Sequence, residues 1–230
     1  MSNFTDDFGI EWHSYNRYWA NHDPHFREYI NEINSWSNNE AIKKYIFDGK
    51  VGHELETLFK LFNTTLHFAT YNDDLIAVML TGDHQPLSHY EELKEYITSG
   101  RHKENIESDI NEDFLSLEET NVILNSADDP NLYIEYLVVN PKYHGKGFGT
   151  KIFKTLKENI DVFTNNYSDT AFIQTAIHNE NIASRKTVIK NGFKRVKPSN
   201  NPIPLPYSVY YCNINTKHST HKDEIENERF

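Results

Sequence analysis

Residues 133–150 read YIEYLVVNPKYHGKGFGT. The first seven positions are aromatic, β-branched or aliphatic apart from Glu135, and Asn140-Pro141 closes them. That is the pattern of a buried strand ending in a turn. Three glycines then fall at alternate positions, Gly145, Gly147 and Gly149. Beyond them Phe148, Ile152, Leu156, Ile160 and Phe163 recur at spacings of three and four, the period of a helix with one buried stripe. The unit is strand, glycine-rich turn, amphipathic helix.

Such a unit is suited to an anion. The first N–H groups of a helix have no intrahelical partner, and the aligned peptide dipoles add partial positive charge there. Glycines let the backbone approach the ligand closely. Neither common phosphate loop fits. The dinucleotide fingerprint G-x-G-x-x-G has Thr150 at its third glycine, and the next strand, 170–177, ends without an acidic residue. The triphosphate loop fails because Phe148 follows Gly147 where a Lys is required.

The 230-residue chain carries a formal charge of -11, 14 Tyr and 14 Phe, enough aromatic area for a real core. The negative balance disfavours a nucleic-acid partner, and no run of eighteen apolar residues predicts a membrane span. The opening MSNFTDDFG lacks a secretory pattern, and the single Cys212 fits a reducing cytoplasm. Between positions 100 and 129 nine acidic residues face only Arg101 and Lys103, which reads as a solvated surface element.

Taken in order, Phe8, Ile10 and Trp12 alternate and predict a short first strand. Helices are expected over 27–36, 40–47 and from 53. His53-Glu54 does not continue to HExxH, since position 57 is Thr, and no metal site is predicted there. Strands 66–71 and 75–80 form a hairpin across 72–74. The interpolation 85–131 should hold a helix over 90–97, another over 106–114 and an extended piece at 122–124. After strand 170–177, HNENIASRKTVIKNGF is a helix started at Asn179 or Asn181 and stopped at Asn191-Gly192. Asn181, Ser184 and Val188 share a face expected to look beyond the central strands. Strands near 194–197 and 207–214 flank a proline-stiffened loop. The expected organisation is one unit over 1–214, carrying the acidic insertion, with 215–230 as a tail.

Two stretches together resemble the GCN5-related N-acetyltransferase (GNAT) superfamily. One is [Q/R]-x-x-G-x-[G/A], here His144-Gly-Lys-Gly147-Phe-Gly149. The other is N-x-x-[A/S]-x-x-x-Y-x-x-x-G-F, here Asn181-Ile-Ala-Ser184-Arg-Lys-Thr-Val188-Ile-Lys-Asn-Gly192-Phe193. The resemblance implies an α/β (α+β) fold: a mixed, mostly antiparallel central sheet splayed between strands 4 and 5, with helices on both faces. It implies acetyl-CoA as cosubstrate. Pantetheine would lie along the backbone of Leu137, Val138 and Val139. The pyrophosphate would sit on the amides of His144, Gly145, Lys146, Gly147, Phe148, Gly149 and Thr150, with Asn181 and Ser184 nearby. Two positions depart from the pattern: His144 replaces Gln or Arg, and Val188 replaces the tyrosine that often protonates the departing thiolate.

The implied chemistry is direct attack of a neutral amine on the thioester in a ternary complex. Strand alternation puts Tyr133, Glu135, Leu137 and Val139 on one face. Glu135, a carboxylate in an apolar segment, is the expected base or amine binder. A backbone N–H at Val139 or its neighbour suits the oxyanion. The proton donor is expected among Tyr207, Tyr210 and Tyr211, with Tyr210 preferred. Cys212 has no histidine placed to activate it. Aromatic 12–36, acidic 85–131 and proline-rich 198–211 would surround the acceptor, which suits a small cationic amine. A protein N-terminus or lysine is the competing acceptor, and a homodimer is compatible with this reading. Two other classes remain: an acyl-CoA-binding module without turnover, favoured by Val188, and a regulator using the loop for another phosphate.

Overall fold

The computed structural model describes residues 2–45, 55–57, 59, 64–82, 110–125, 131–164, 172–196 and 207–214. The helix expected at 90–97, the proline loop and the tail lie outside the described residues. In chain order come β1 (Ser2–Thr5), β2 (Glu11–Tyr15), α1 (Arg17–Ala20), α2 (Pro24–Trp36), α3 (Glu40–Tyr45), β3 (Thr64–Tyr71) and β4 (Asp74–Gly82). Then follow α4 (Leu117–Asn125), β5 (Leu132–Val139), a 3-10 turn (Pro141–Tyr143), α5 (Phe148–Glu158), α6 (Ile160–Phe163), β6 (Phe172–His178), α7 (Ile182–Lys190), β7 (Lys194–Arg195) and β8 (Tyr207–Asn213).

The strands make one eight-stranded sheet in the order β1-β2-β3-β4-β5-β6-β8-β7. Every pairing is antiparallel except β5 with β6. That parallel pair joins only Leu132, Ile134 and the residue between them to Ile173–Thr175, and then the two strands separate. The sheet is therefore mixed, mostly antiparallel and splayed. The splay falls between the fifth and sixth strands, because Ser2–Thr5 adds a strand at the edge.

One face of the sheet carries α5, α6 and α7 over a core of Trp12, Ile134, Ile152, Leu156, Val188 and Tyr210. The opposite face of the first half carries α2, whose Phe26, Ile30, Ile33 and Trp36 pack on Leu66, Phe68, Val78 and Leu80. Under the second half, Leu115 and Ile123 cover Phe172, Val196, Val209 and Tyr211.

Several expected elements are moved, each for a local reason. Phe8 lies in the turn rather than in the first strand, because Asp6 organises that turn. Its carboxylate accepts from the N–H of Phe8 and of Ile10 (both 2.9 Å), from Trp12 Nε1 (3.2 Å) and from Thr155 Oγ1 (2.5 Å). α2 starts at Pro24 rather than at 27, since Asp23 caps it and accepts from the N–H of His25. The β3–β4 turn is two residues, Asn72 and Asp73, both with positive φ, the hairpin geometry that matches strand twist.

The extended piece at 122–124 is instead the end of α4. A reciprocal cap starts that helix: the N–H of Glu119 donates to Ser116 Oγ (3.2 Å) and the N–H of Ser116 donates to Glu119 (2.9 Å). Of the helix expected over 106–114, residues 110–114 are described, and they are not helical. Residue Phe114 pairs in parallel with Arg195 at the sheet edge.

Candidate active site

The glycine loop is held from behind. Asn140 donates its side-chain amide to the Leu75 carbonyl (2.8 Å) and accepts from the N–H of Lys142 (3.0 Å). Lys142 Nζ and the Tyr143 hydroxyl both reach Asp74, the ammonium at 2.6 Å. These contacts tie the end of β5 to the start of β4 and aim the chain at α5.

The three glycines divide into two kinds. Gly145 (φ 73°) and Gly147 (φ 82°) lie in the left-handed region that side-chain-bearing residues avoid. A Cβ at either would meet nothing within 4 Å, so this side of the loop is open. Gly149 has ordinary backbone, but a Cβ there would stand 3.3 Å from Thr187 Cγ2, where α5 and α7 cross. Gly147 begins α5 with no side-chain hydrogen bond, leaving the first-turn amides to a ligand. Lys146 lies 5.0 Å from the Tyr143 ring and Lys151 5.0 Å from the Phe148 ring, so two cations flank that terminus. The His144 ring turns back along the slot, its Nε2 2.8 Å from the Val139 carbonyl oxygen.

Backbone alternation fixes which amides face the slot. The Asn140 N–H donates to the Ile76 carbonyl across the β4–β5 ladder (2.8 Å). By alternation Val138 and Tyr136 also face β4, while Leu137 and Val139 turn their N–H and C=O toward the gap left by β6. The Val138 amide is thereby committed to the sheet, and within 137–139 the slot is offered Leu137 and Val139.

Side-chain alternation along β5 is broken, which corrects the expectation of one shared face from Tyr133 to Val139. Leu80 pairs with Tyr136 but Thr81 pairs with Ile134, so Glu135 is an extra, bulged residue. Leu132 and Ile134 belong to the core under α5, as do Leu137 and Val139, while Tyr136 and Val138 pack toward α2. The bulge turns Glu135 toward Gly82, whose hypothetical Cβ would lie 3.4 Å from Glu135 Oε1. No described residue gives Glu135 a hydrogen bond or ion pair. Burial raises its carboxyl above the usual range. The Tyr133 phenol is pushed up by burial, with Glu135 and Tyr207 adding to the shift.

Tyr210 lies elsewhere. It is fully buried, donates its hydroxyl proton to Glu112 and accepts from Arg185 Nε (3.1 Å). Glu112 also receives Arg185 Nη2 (2.9 Å) and Arg195 Nη1 (2.6 Å). Burial alone would raise the Glu112 carboxyl, but hydrogen bonds from Arg185, Tyr210 and Arg195 outweigh it and hold it at about 2. Tyr210 itself is raised by burial and by Glu112. Glu119, by its 2.5 Å contact with Lys194, is likewise pinned rather than freely solvated.

On α7, Arg185 and Val188 are the buried side chains. Asn181 caps its own helix, accepting from the N–H of Ser184 (3.2 Å). Val188 packs in the core at 1% exposure. Cys212 is buried, and burial raises its thiol. Glu112 was not foreseen as a structural centre, because nothing local distinguishes it within the acidic run. The signal for α4, Ser116-Leu-Glu-Glu119, was present in the sequence.

The profile of the Acetyltransferase (GNAT) family matches residues 43–193. The chain belongs to that family. No curated protein matches it by sequence. Its fold is similar to that of an aminoglycoside N(6')acetyltransferase from Legionella pneumophila, with TM-score 0.53 and 12% identity over 96% of each chain. It is also similar to an uncharacterized protein from Bacillus halodurans, with TM-score 0.54 and 16% identity over 99% of this chain and 97% of that one. A third similar structure is the aminoglycoside acetyltransferase AAC(6')-Ib in complex with coenzyme A and kanamycin, with TM-score 0.51 and 17% identity over 87% and 93% of the two chains. Among the described residues no helix is long and apolar enough to cross a membrane.

Proposed function

We propose that this chain transfers an acetyl group from acetyl-CoA to a primary amine, with a small cationic amine as acceptor. The observation that carries this is the slot itself. The inward-turned backbone of Leu137 and Val139 runs straight into the uncapped, glycine-opened start of α5. One segment offers amides to the pantetheine arm, and the other offers amides and a dipole to the pyrophosphate. Two of the similar structures are aminoglycoside acetyltransferases, one of them holding coenzyme A, which supports the donor class and suggests the acceptor.

In this reading Glu135 takes the proton from the ammonium, a task helped by burial, which raises its carboxyl above the usual range. The amine nitrogen then bonds to the acetyl carbon, and the carbon–sulfur bond breaks. The Val139 N–H steadies the oxyanion between these events. Tyr210 acts here as a positioning residue, since its proton is committed to Glu112. The thiolate is a competent leaving group, and water carries to it the proton that the new amide nitrogen sheds.

The test is release of free CoA across a panel of kanamycin, spermidine, a peptide with a free N-terminus and a capped peptide containing lysine. Saturable release with kanamycin or spermidine is expected. Release only with a peptide would move the acceptor to proteins. Acetyl-CoA binding without release for any amine would favour the binding-module reading, for which the buried Val188 is the observation.

A further inference from the structure

Away from the slot, a cleft lies between α2 and the outer strands of the sheet. Along β2 the side chains of Glu11, His13 and Tyr15 alternate onto the face that α2 covers, while Trp12 enters the core under α5. Toward Tyr15 that face is apolar, with the Phe26 and Phe68 rings packed on Tyr15. Toward Glu11 it is not filled. A space of about 310 Å³ opens there, at the small end of ligand pockets. Glu11, His13 and Thr70 line it from the sheet, His25 and Tyr29 from α2, and Asp73 from the β3–β4 turn.

This lining suits an organic cation. The His13 and Tyr29 rings lean together, 5.7 Å between centroids and 34° between planes, and offer π faces. Burial, aided by His25, lowers the His13 imidazole against the pull of Glu11 and Asp23, so the ring is mostly uncharged at pH 7. Burial also raises the Tyr29 phenol, and Asp23, Glu11, Glu28 and Glu32 all add to that shift, the mark of a negative field. Among the described lining residues there is no lysine or arginine, and His25 is matched by Glu28 at 2.9 Å.

Carboxylates stand at both ends of the row. Glu11 and Asp73 mark the outer end, and Asp23, which accepts from the Tyr15 hydroxyl (2.9 Å), marks the inner one. The backbone from Glu11 to Tyr15 covers four strand steps, roughly 13 Å. That spread suits no single ion, and among the described residues no three His, Cys, Asp or Glu side chains are grouped to hold a metal. We infer that the cleft binds a linear polyamine lengthwise, one charged nitrogen at Glu11 and Asp73 and another toward Asp23, its carbons over the His13 and Tyr29 rings. The site is distinct from the proposed acceptor position at Glu135, since β4 stands between β3 and β5. It does not rest on the acetyltransferase reading.

Two exposed carboxylates allow a test that leaves the core alone. Glu11→Gln and Asp73→Asn each remove a charge and keep the shape, and Asn tolerates the positive φ of 64° at position 73. The probe is spermidine, titrated into the full chain without acetyl-CoA. The readout is the imidazole NMR signal of His13, assigned by its loss in His13→Gln, so that binding in the slot is not mistaken for binding here.

The expected result is a saturable shift of the His13 signal in the wild type, with none from the neutral butanediol. In the double variant the midpoint should rise roughly three- to thirtyfold, with each single variant between. Added salt should raise the wild-type midpoint as well. Should the double variant melt lower, Glu11→Gln alone decides by the same comparison. No saturable shift at His13, equal midpoints in wild type and variant, or the same shift from sodium chloride alone would overturn the inference. A wild type that acetylates no amine overturns the acetyltransferase reading and leaves this one standing. Acetylation of spermidine with His13 unmoved overturns this one alone.

Discussion

The proposed donor and acceptor ends of the slot share strand β5 but are made from different materials. At the donor end recognition is by backbone: the inward amides of Leu137 and Val139, the left-handed turns at Gly145 and Gly147, and the uncapped start of α5. At the proposed acceptor end it is by a side chain, Glu135, which the bulge in β5 turns toward Gly82. Backbone recognition depends on local conformation and tolerates many side chains. Side-chain recognition depends on a register that only the folded sheet supplies.

The sharpest way to separate the two ends is Glu135→Gln. It keeps the shape and removes the proposed base, so kcat should fall by roughly 100- to 10,000-fold while acetyl-CoA affinity stays as it was. An unchanged kcat would put the base elsewhere. In the wild type, kcat/KM should fall as pH drops through a value above the ordinary glutamate range, because burial raises the Glu135 carboxyl.

Next in size is Glu112→Ala, which tests the frame that both ends share. It leaves the buried Arg185 and the half-buried Arg195 without their carboxylate, and losing one partner of a buried ion pair costs about 3–5 kcal/mol. A large fall in melting temperature is expected, with acetyl-CoA affinity preserved where the variant remains folded. A shift of less than about 1 kcal/mol would show that the network contributes no more than a surface pair does.

Gly147→Val strikes the donor end alone. A β-branched residue forced to positive φ costs on the order of 1–3 kcal/mol, which weakens acetyl-CoA binding by roughly 5- to 150-fold. The acceptor KM at saturating donor should not move.

The smallest effect, spread over several pH units, comes from the frame. His67 is fully buried between Ser14 Oγ (2.7 Å) and Thr81 Oγ1 (2.8 Å), and burial lowers its imidazole to about 3. Its folded value lies below its unfolded one, so its contribution is intact above about pH 6.5 and is lost as pH falls toward the folded value. Glu112, held at about 2, adds the same sign of loss below the ordinary glutamate range. Each group removes at most about 1.4 kcal/mol per pH unit. Urea denaturation at pH 7, 6 and 5 should therefore show falling stability, and a flat profile from 7 to 5 would contradict the assignment of His67.

This division also explains what could be read in advance. The strand, glycine turn and helix of residues 133–163 are legible because their determinants are local: hydrophobic period, glycine and Asn-Pro. The bulge at Glu135 is invisible in the sequence, since it exists only as a mismatch between β4 and β5, and period-two alternation runs past it without a sign. The approach of Glu135 to Gly82 has the same origin. Tyr210 looked available because a strand carries it beside the site, yet Glu112, 98 positions away, takes up its hydroxyl. The Ser116–Glu119 cap, by contrast, was local and legible, and it turns the expected extended piece into a helix.

The central claim is that the slot between β5 and β6 takes acetyl-CoA through main-chain groups at Leu137, Val139 and the start of α5. Isothermal titration of the folded wild-type protein with acetyl-CoA, repeated with Gly147→Val, tests it most directly. The account predicts one saturable site in the wild type and a clearly weaker one in the variant. No saturable heat from a demonstrably folded wild type, or equal affinity in the two proteins, would contradict it.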